Sequence, residues 1–202
     1  MKPVVLGISG SLSATSKTSL LVDYVLGRIA DRGIKTEHIR LSSIDPRAII
    51  RCETSDPDLA RLADALQHAA GVVIATPIFK ASYSGLLKAA LDAMPQFGLM
   101  GKVVLPLATG GSPAHVLALD YGLRPVLQSM GARHIVQSFF VGERDFIPSK
   151  DGSFDGVTLS APVREAIEQP LHNFLHSFTT DPAAHYLGHP RPDPAWLAQA
   201  TC

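Results

Sequence analysis

The sequence predicts an α/β domain built as a doubly wound parallel sheet with helices on both faces, and three observations carry that prediction. Short apolar runs rich in β-branched residues, such as Val4 to Ile8 and Gly71 to Thr76, alternate with amphipathic runs of helical period. The strand-like runs are nearly continuous in apolar residues, as strands covered on both faces are. The loops rich in Gly, Ser, Thr and Pro fall after strands, at their carboxyl ends, where open α/β sheets hold their ligands.

The elements follow in order. Val4 to Ile8 reads as a buried strand that breaks at Ser9-Gly10-Ser11. Ser19 to Arg32 carries Leu20, Leu21, Val25, Leu26 and Ile29 at helical spacing, and Gly33 stops it. Thr36 to Leu41 is a modest strand, and Ser42 to Cys52 is an irregular connection with a short helix. Pro57 after Asp56 suits a helix start, and Leu59, Leu62, Ala63, Leu66 and Ala69 form its buried stripe. Gly71 to Thr76 is the third strand, followed by a loop to Gly85 and a helix over Leu86 to Ala93. Lys102 to Ala108 is the fourth, followed by Thr109-Gly110-Gly111-Ser112-Pro113 and a helix from Ala114 to Met130. His134 to Val141 completes five strands. Arg144 to Ser160 is polar and reads as a mobile loop. Ala161 to Phe178 is the last helix, with Pro162 in its first turn and Pro170 as a kink. Residues 1–178 then form the domain, and 179–202 form a Pro-rich tail outside its core that is either disordered or packed on a neighbouring subunit, with Trp196 and Leu197 as its anchors in the second case.

Composition narrows the function classes. With 202 residues, 46% of them apolar, the chain can bury a substantial core. Lys plus Arg and Asp plus Glu number 18 each, so the zero net charge argues against a nucleic-acid partner and against a strongly acidic electron carrier. No apolar run approaches the roughly 20 residues of a spanning helix, and the chain enters a strand too early for a secretory signal. Cys52 and Cys202 match no metal or redox spacing, which is consistent with reduced thiols in a cytoplasm. His172 and His176 share a helix face with no third ligand in view, and they read as solvated.

The chemistry concentrates in three loops. A helix start offers unpartnered N–H groups and the positive end of the macrodipole, which favour an anion, most often a phosphate. Ser11, Ser16, Lys17, Thr18 and Ser19 are the side-chain donors there. The same hydroxyls are also ordinary N-caps and need no ligand. Ser16 and Ser11 stand where a P-loop requires glycine, Ser11 breaks the pattern of a nucleophile elbow, and no G-x-G-x-x-G occurs. The loop that remains suits a phosphate monoester of the kind FMN carries. Pro77, Ile78, Phe79 and Lys80 follow the third strand, and Thr109, Gly110, Gly111 and Ser112 follow the fourth, where two glycines let backbone amides approach a planar ligand.

Taken together, Gly10-Ser11 with Ser16 to Ser19, then Ala75 to Lys88, then Lys102 to Gly111, resemble the NAD(P)H-dependent FMN reductases of flavodoxin-like fold. Within that family the likeness is greatest to the reductases of alkanesulfonate monooxygenase systems, and it covers residues 4 to 141. The resemblance implies that Ser11, Ser16, Lys17, Thr18 and Ser19 hold the FMN phosphate. It implies that Pro77, Ile78, Phe79 and Lys80 border the ring, with Thr109, Gly110, Gly111 and Ser112 at its other side. Ser13 and Phe79 depart from the family pattern, which often has Arg and Tyr there. Tyr121, within His115 to Pro125, matches a residue that in those relatives makes a π-bulge at a tetramer interface; an ordinary core or interfacial Tyr is the other reading.

The activity implied is hydride transfer from NADPH or NADH to FMN, with reduced FMN passed to a partner monooxygenase for desulfonation and sulfur supply. The alternative is a reductase that keeps its FMN and passes electrons to quinones, azo dyes or metal oxyanions. No side chain is required as acid or base, and His115 reads as a polar residue at a helix start. A homo-oligomer, dimer or tetramer, is expected.

Overall fold

A computed structural model describes residues 3–13, 15–112, 115–132, 134–149 and 158–179. The main sheet is built on four parallel strands, β1 (Val4–Ser9), β2 (Lys35–Arg40), β3 (Gly71–Phe79) and β5 (Val103–Gly110). The order is β2-β1-β3-β5, continued by the short β6 (His134–Ile135) and β7 (Phe139–Gly142), both parallel to β5. The sequence therefore predicts the fold class correctly and the last strand incorrectly, since His134 to Val141 is two strands.

The interruption has a visible cause. The Arg124 guanidinium donates to the Ile135 and Val136 carbonyls at 3.0 and 3.1 Å and to Ser138 Oγ at 3.2 Å. It occupies the gap between the two short strands.

Two apolar layers cover the sheet. On one face α1 (Lys17–Ala30) and α7 (Glu168–Thr179) pack on Val5, Val73, Val103, Leu105 and Leu107. Leu21, Val22, Val25 and Ile29 are wholly buried there, each contributing roughly 1.5–3 kcal/mol of burial. On the other face lie α2 (Pro46–Ile50), α3 (Pro57–His68), α4 (Gly85–Asp92) and α5 (Arg124–Ser129), around Leu6, Val72, Ile74 and Val104. Helix starts follow their caps: Asp56 Oδ1 accepts from the Asp58 and Leu59 amides, with Pro57 in the first turn.

Both prolines placed mid-helix by the sequence reading reshape their helices. Pro125 offers no N–H to the Tyr121 carbonyl, and the chain there forms a π turn over Leu119–Leu123 before α5 begins. The single helix expected over Ala114 to Met130 is therefore broken; Pro113 and Ala114 lie outside the described residues. Pro170 leaves the Ala166 carbonyl without an α-helical partner, so the last helix divides at Ile167 into α6 (Ala161–Ala166) and α7 rather than merely kinking.

Two further expectations need correction. β3 does not stop at Thr76 but runs through Pro77 to Phe79 and turns into the antiparallel β4 (Ser82–Tyr83). The segment from Arg144 to Ser160 is not simply a mobile loop. It contains a 3₁₀ turn (Glu143–Asp145) and an antiparallel pair, β8 (Phe146–Ile147) with β9 (Thr158–Leu159). Residues 150–157 and the tail from 180 onward, including Trp196 and Leu197, lie outside the described residues. No helix among the described residues is long and apolar enough to cross a membrane.

Candidate functional site

Parallel topology brings the carboxyl ends of β1, β3 and β5 to one edge, and three hydrogen bonds tie their loops together. The Gly10 amide donates to the Ala75 carbonyl at 2.8 Å, and Ser84 Oγ donates to the Gly10 carbonyl. Thr18 Oγ1 and Thr109 Oγ1 are 2.7 Å apart. The first loop is thus fixed to both others. A Cβ at Gly10 would stand 2.7 Å from Leu87 Cβ, so only glycine allows this closeness.

The five donors expected in the first loop divide into two sets. Ser16 caps α1, its Oγ accepting from the Ser19 amide at 3.0 Å. Ser11 is buried, and its Oγ accepts from the Ser13 amide at 3.2 Å. Lys17 reaches outward, its Nζ 3.6 Å from Glu143 Oε2 and 6.0 Å from the centre of the Phe146 ring. Thr18 and Ser19 turn inward, Thr18 onto Thr109 and Ser19 onto Ser9. The first turn of α1 itself holds no carboxylate at the positive helix end, where the acidic group is Glu143, on Lys17.

The second loop is a two-residue hairpin whose central residues, Lys80 and Ala81, both have positive φ, 50° and 62°. Side chains with a Cβ cost about 1–2 kcal/mol each in that region. Pro77 and Ile78 are buried beneath the turn, whereas Phe79 is 52% exposed. In the third loop Thr109 and Gly110 are buried, Ser112 is half-buried and Gly111 is exposed, with nothing within 4 Å of where its Cβ would stand. Exposed Leu12, Phe79, Val116, Leu117 and Tyr121 stand on or just after these loops. The Tyr121 side chain is 78% exposed, and Gly122 next to it packs against the Tyr83 ring.

Two histidines are informative beyond the sequence reading. His115 Nδ1 is buried with no hydrogen-bond partner among the described residues, directly after the third loop. His38, on β2, carries no local sequence signal because its partners are remote in the chain: Asp23 Oδ1 lies 2.7 Å from Nδ1 and Ser9 Oγ lies 3.0 Å from Nε2. Burial holds the His38 pKa below its ordinary 6.5 despite the Asp23 carboxylate. No group of three or more His, Cys, Asp or Glu able to hold a metal occurs among the described residues. His172 and His176 stack on each other with ring centres 6.1 Å apart.

A phosphorylated flavin fits this edge on three grounds. The α1 terminus presents hydroxyl groups and an ammonium, with no carboxylate in the first turn itself and Glu143 3.6 Å from Lys17, the glycine loop leaves open space at Gly111, and His115 carries a buried polar atom with no partner among the described residues.

Residues 3–145 match the family model described as NADPH-dependent FMN reductase. The chain is 38% identical over 143 residues to an FMN reductase (NADPH) of Escherichia coli, covering 71% of this chain and 75% of that one. It is 33% identical over 175 residues to an FMN reductase (NADPH) of Pseudomonas putida, covering 87% and 86%. Among solved structures, the apo form of an NADH:FMN oxidoreductase (EMOB) superposes with a TM-score of 0.83 at 46% identity, covering 95% of this chain and 98% of the other.

Proposed function

The chain belongs to the NADPH-dependent FMN reductase family, and we propose that its three tied loops form the flavin site and deliver reduced FMN to a partner monooxygenase. The observation that carries this reading is the meeting of the Ser16–Lys17 helix start, the Phe79–Lys80 turn and the Gly110–Gly111 loop at one edge. As an NAD(P)H-dependent FMN reductase, the enzyme uses FMN to accept the hydride of the reduced nicotinamide.

Ser11, Ser16 and Lys17 would hold the phosphate, with Thr18 and Ser19 shaping the loop from behind rather than donating to it. Pro77, Ile78, Phe79 and Lys80 would border the ring on one side, and Thr109, Gly110, Gly111 and Ser112 on the other. Backbone amides of the glycine loop are suited to the negative charge that develops as the ring is reduced. Phe79, exposed beside the glycine loop, would cover the ring and keep water from it.

The desulfonation setting, as in the alkanesulfonate reductases, and a cytoplasmic location belong to the same proposal. So does a homo-oligomer: Tyr121, exposed on a π turn, is the residue we assign to its interface, a homotetramer being the expected form.

The test is oxidation of NADPH and of NADH by freshly desalted protein, with and without added FMN, with the flavin followed in an ultrafiltrate. Oxidation that requires FMN and places reduced FMN in the filtrate is the expected result. Protein that stays yellow through desalting and reduces quinones without added flavin would overturn it in favour of an FMN-retaining reductase.

A further inference from the structure

His38 ends a chain of hydrogen bonds that begins at the cap of α1. Ser16 Oγ donates to Ser19 Oγ at 3.0 Å, and Ser19 Oγ donates to Ser9 Oγ at 3.1 Å. Ser9 Oγ then meets His38 Nε2 at 3.0 Å, and His38 Nδ1 meets Asp23 Oδ1 at 2.7 Å. A carboxylate can only accept, so the neutral imidazole carries its proton on Nδ1 and leaves Nε2 as an acceptor. Ser9 must therefore donate to Nε2. Every hydroxyl proton along the chain then points inward, away from the α1 terminus. Ser16, one of the residues proposed to hold the phosphate, has its hydroxyl proton committed to Ser19.

We propose that His38 is a positioning residue that sets the direction of these hydroxyls, so that its protonation turns Ser16 into a donor toward the flavin phosphate. The inference rests on the phosphate site proposed above. When His38 takes one proton from solvent at Nε2, that N–H donates to Ser9 Oγ. Ser9 turns to donate to Ser19, Ser19 turns to donate to Ser16, and the Ser16 hydroxyl proton is released to the loop. Each hydroxyl keeps one proton throughout, and no electrons move. The charged groups facing the imidazole are Asp23 from α1 and Arg40 from β2, whose guanidinium also binds Asp23 Oδ2 at 2.7 Å. Asp58 and Arg61 of α3 line the same cleft beside β2, and Arg61 is paired with Glu37 of β2.

The site thus gains a hydrogen bond to phosphate on acidification, while the phosphate itself loses charge near pH 6 in any protein. The experiment separates the two. Dissociation constants for FMN and for riboflavin, which lacks the phosphate, are measured by fluorescence quenching at about pH 4.5 and about pH 8, the lower value set well down because burial holds His38 below its ordinary 6.5. The proteins are the wild type, His38→Gln and Ser9→Ala, with thermal unfolding confirming that each is folded. The ratio of wild-type to variant affinity for FMN should rise about fivefold from the higher pH to the lower, the scale of one hydrogen bond. The same ratio for riboflavin should stay constant.

Ser9→Ala cuts the chain while leaving His38 in place, so it tests the relay even if His38→Gln fails to fold. Superimposable FMN profiles in the wild type and Ser9→Ala would overturn the proposal, as would an equal shift with riboflavin. Wild-type protein that binds FMN no more tightly than riboflavin at either pH would overturn the phosphate site itself.

Discussion

The two ends of β5 show what the fold does with polar groups when it needs stability and when it needs a site. At the start of the strand the Lys102 side chain is buried, and Nζ donates to the Gln67 and Ala69 carbonyls at 3.0 and 2.9 Å. It closes the end of α3, where a cation opposes the negative end of the helix. At the finish, Thr109 is tied to Thr18, but Gly111 faces open space and the neighbouring Lys80–Ala81 turn sits in a costly conformation. One end spends its donors on its own carbonyls. The other keeps a gap and some strain, the features that the proposed flavin site would use.

The largest expected effect tests the closed end. Lys102→Met would leave two carbonyls short of a donor in a buried setting and lower stability by about 3 kcal/mol. Denaturant unfolding would show it, with little change in kcat/KM for FMN in the protein that remains folded. A matching loss of activity would break the contrast between the ends.

Gly111→Val tests the open end and should do the reverse. With no neighbour within 4 Å of the Cβ position, the melting temperature should hold, while the KM for FMN rises about tenfold, equivalent to about 1.4 kcal/mol. Steady-state kinetics with FMN varied would decide it.

A smaller effect is expected from Ala81→Gly. Relief of the positive φ should outweigh the added freedom of the unfolded chain and raise stability by about 0.5 kcal/mol. If the strained turn positions Phe79, kcat should fall even as thermal stability improves.

The remaining test is in pH, where the expected effect is comparable to that of Lys102→Met. Burial brings the Lys102 ammonium down to about 8 from 10.5, so between those values the unfolded chain binds more protons than the folded one. Stability should therefore rise with pH from about 8 toward 10.5 and be insensitive to Lys102 below that window. Unfolding curves of wild type and Lys102→Met across the window should converge in slope if the group does not titrate there.

Sequence patterning revealed the elements whose signals are local. The α1 stripe, the Asp56-Pro57 start and the apolar cores of β3 and β5 were all legible, because burial on both faces leaves a continuous apolar run. Where a residue acts over distance, the chain gave no sign. Pro77 looked like the end of a strand but pairs with Thr109 in register. The Lys80–Ala81 turn lacks the Gly or Asn that ordinarily marks it. The three site loops were recognisable by composition, yet the inward turn of Thr18 and Ser19 depends on Thr109 and Ser9, which no spacing rule connects to them.

The Arg124 side chain in the gap between β6 and β7 also bears on how the protein behaves in a crowded solution. An uninterrupted outer strand invites a second sheet to join it, and a chain of zero net charge has little repulsion to prevent that. Here one margin of the sheet is β2, bearing Lys35, Glu37, His38 and Arg40, and the other is cut short where Arg124 takes the carbonyls a foreign strand would need. At that margin the protection rests on a single guanidinium, and an Arg124→Ala protein should precipitate, or stain as amyloid, at concentrations the wild type tolerates.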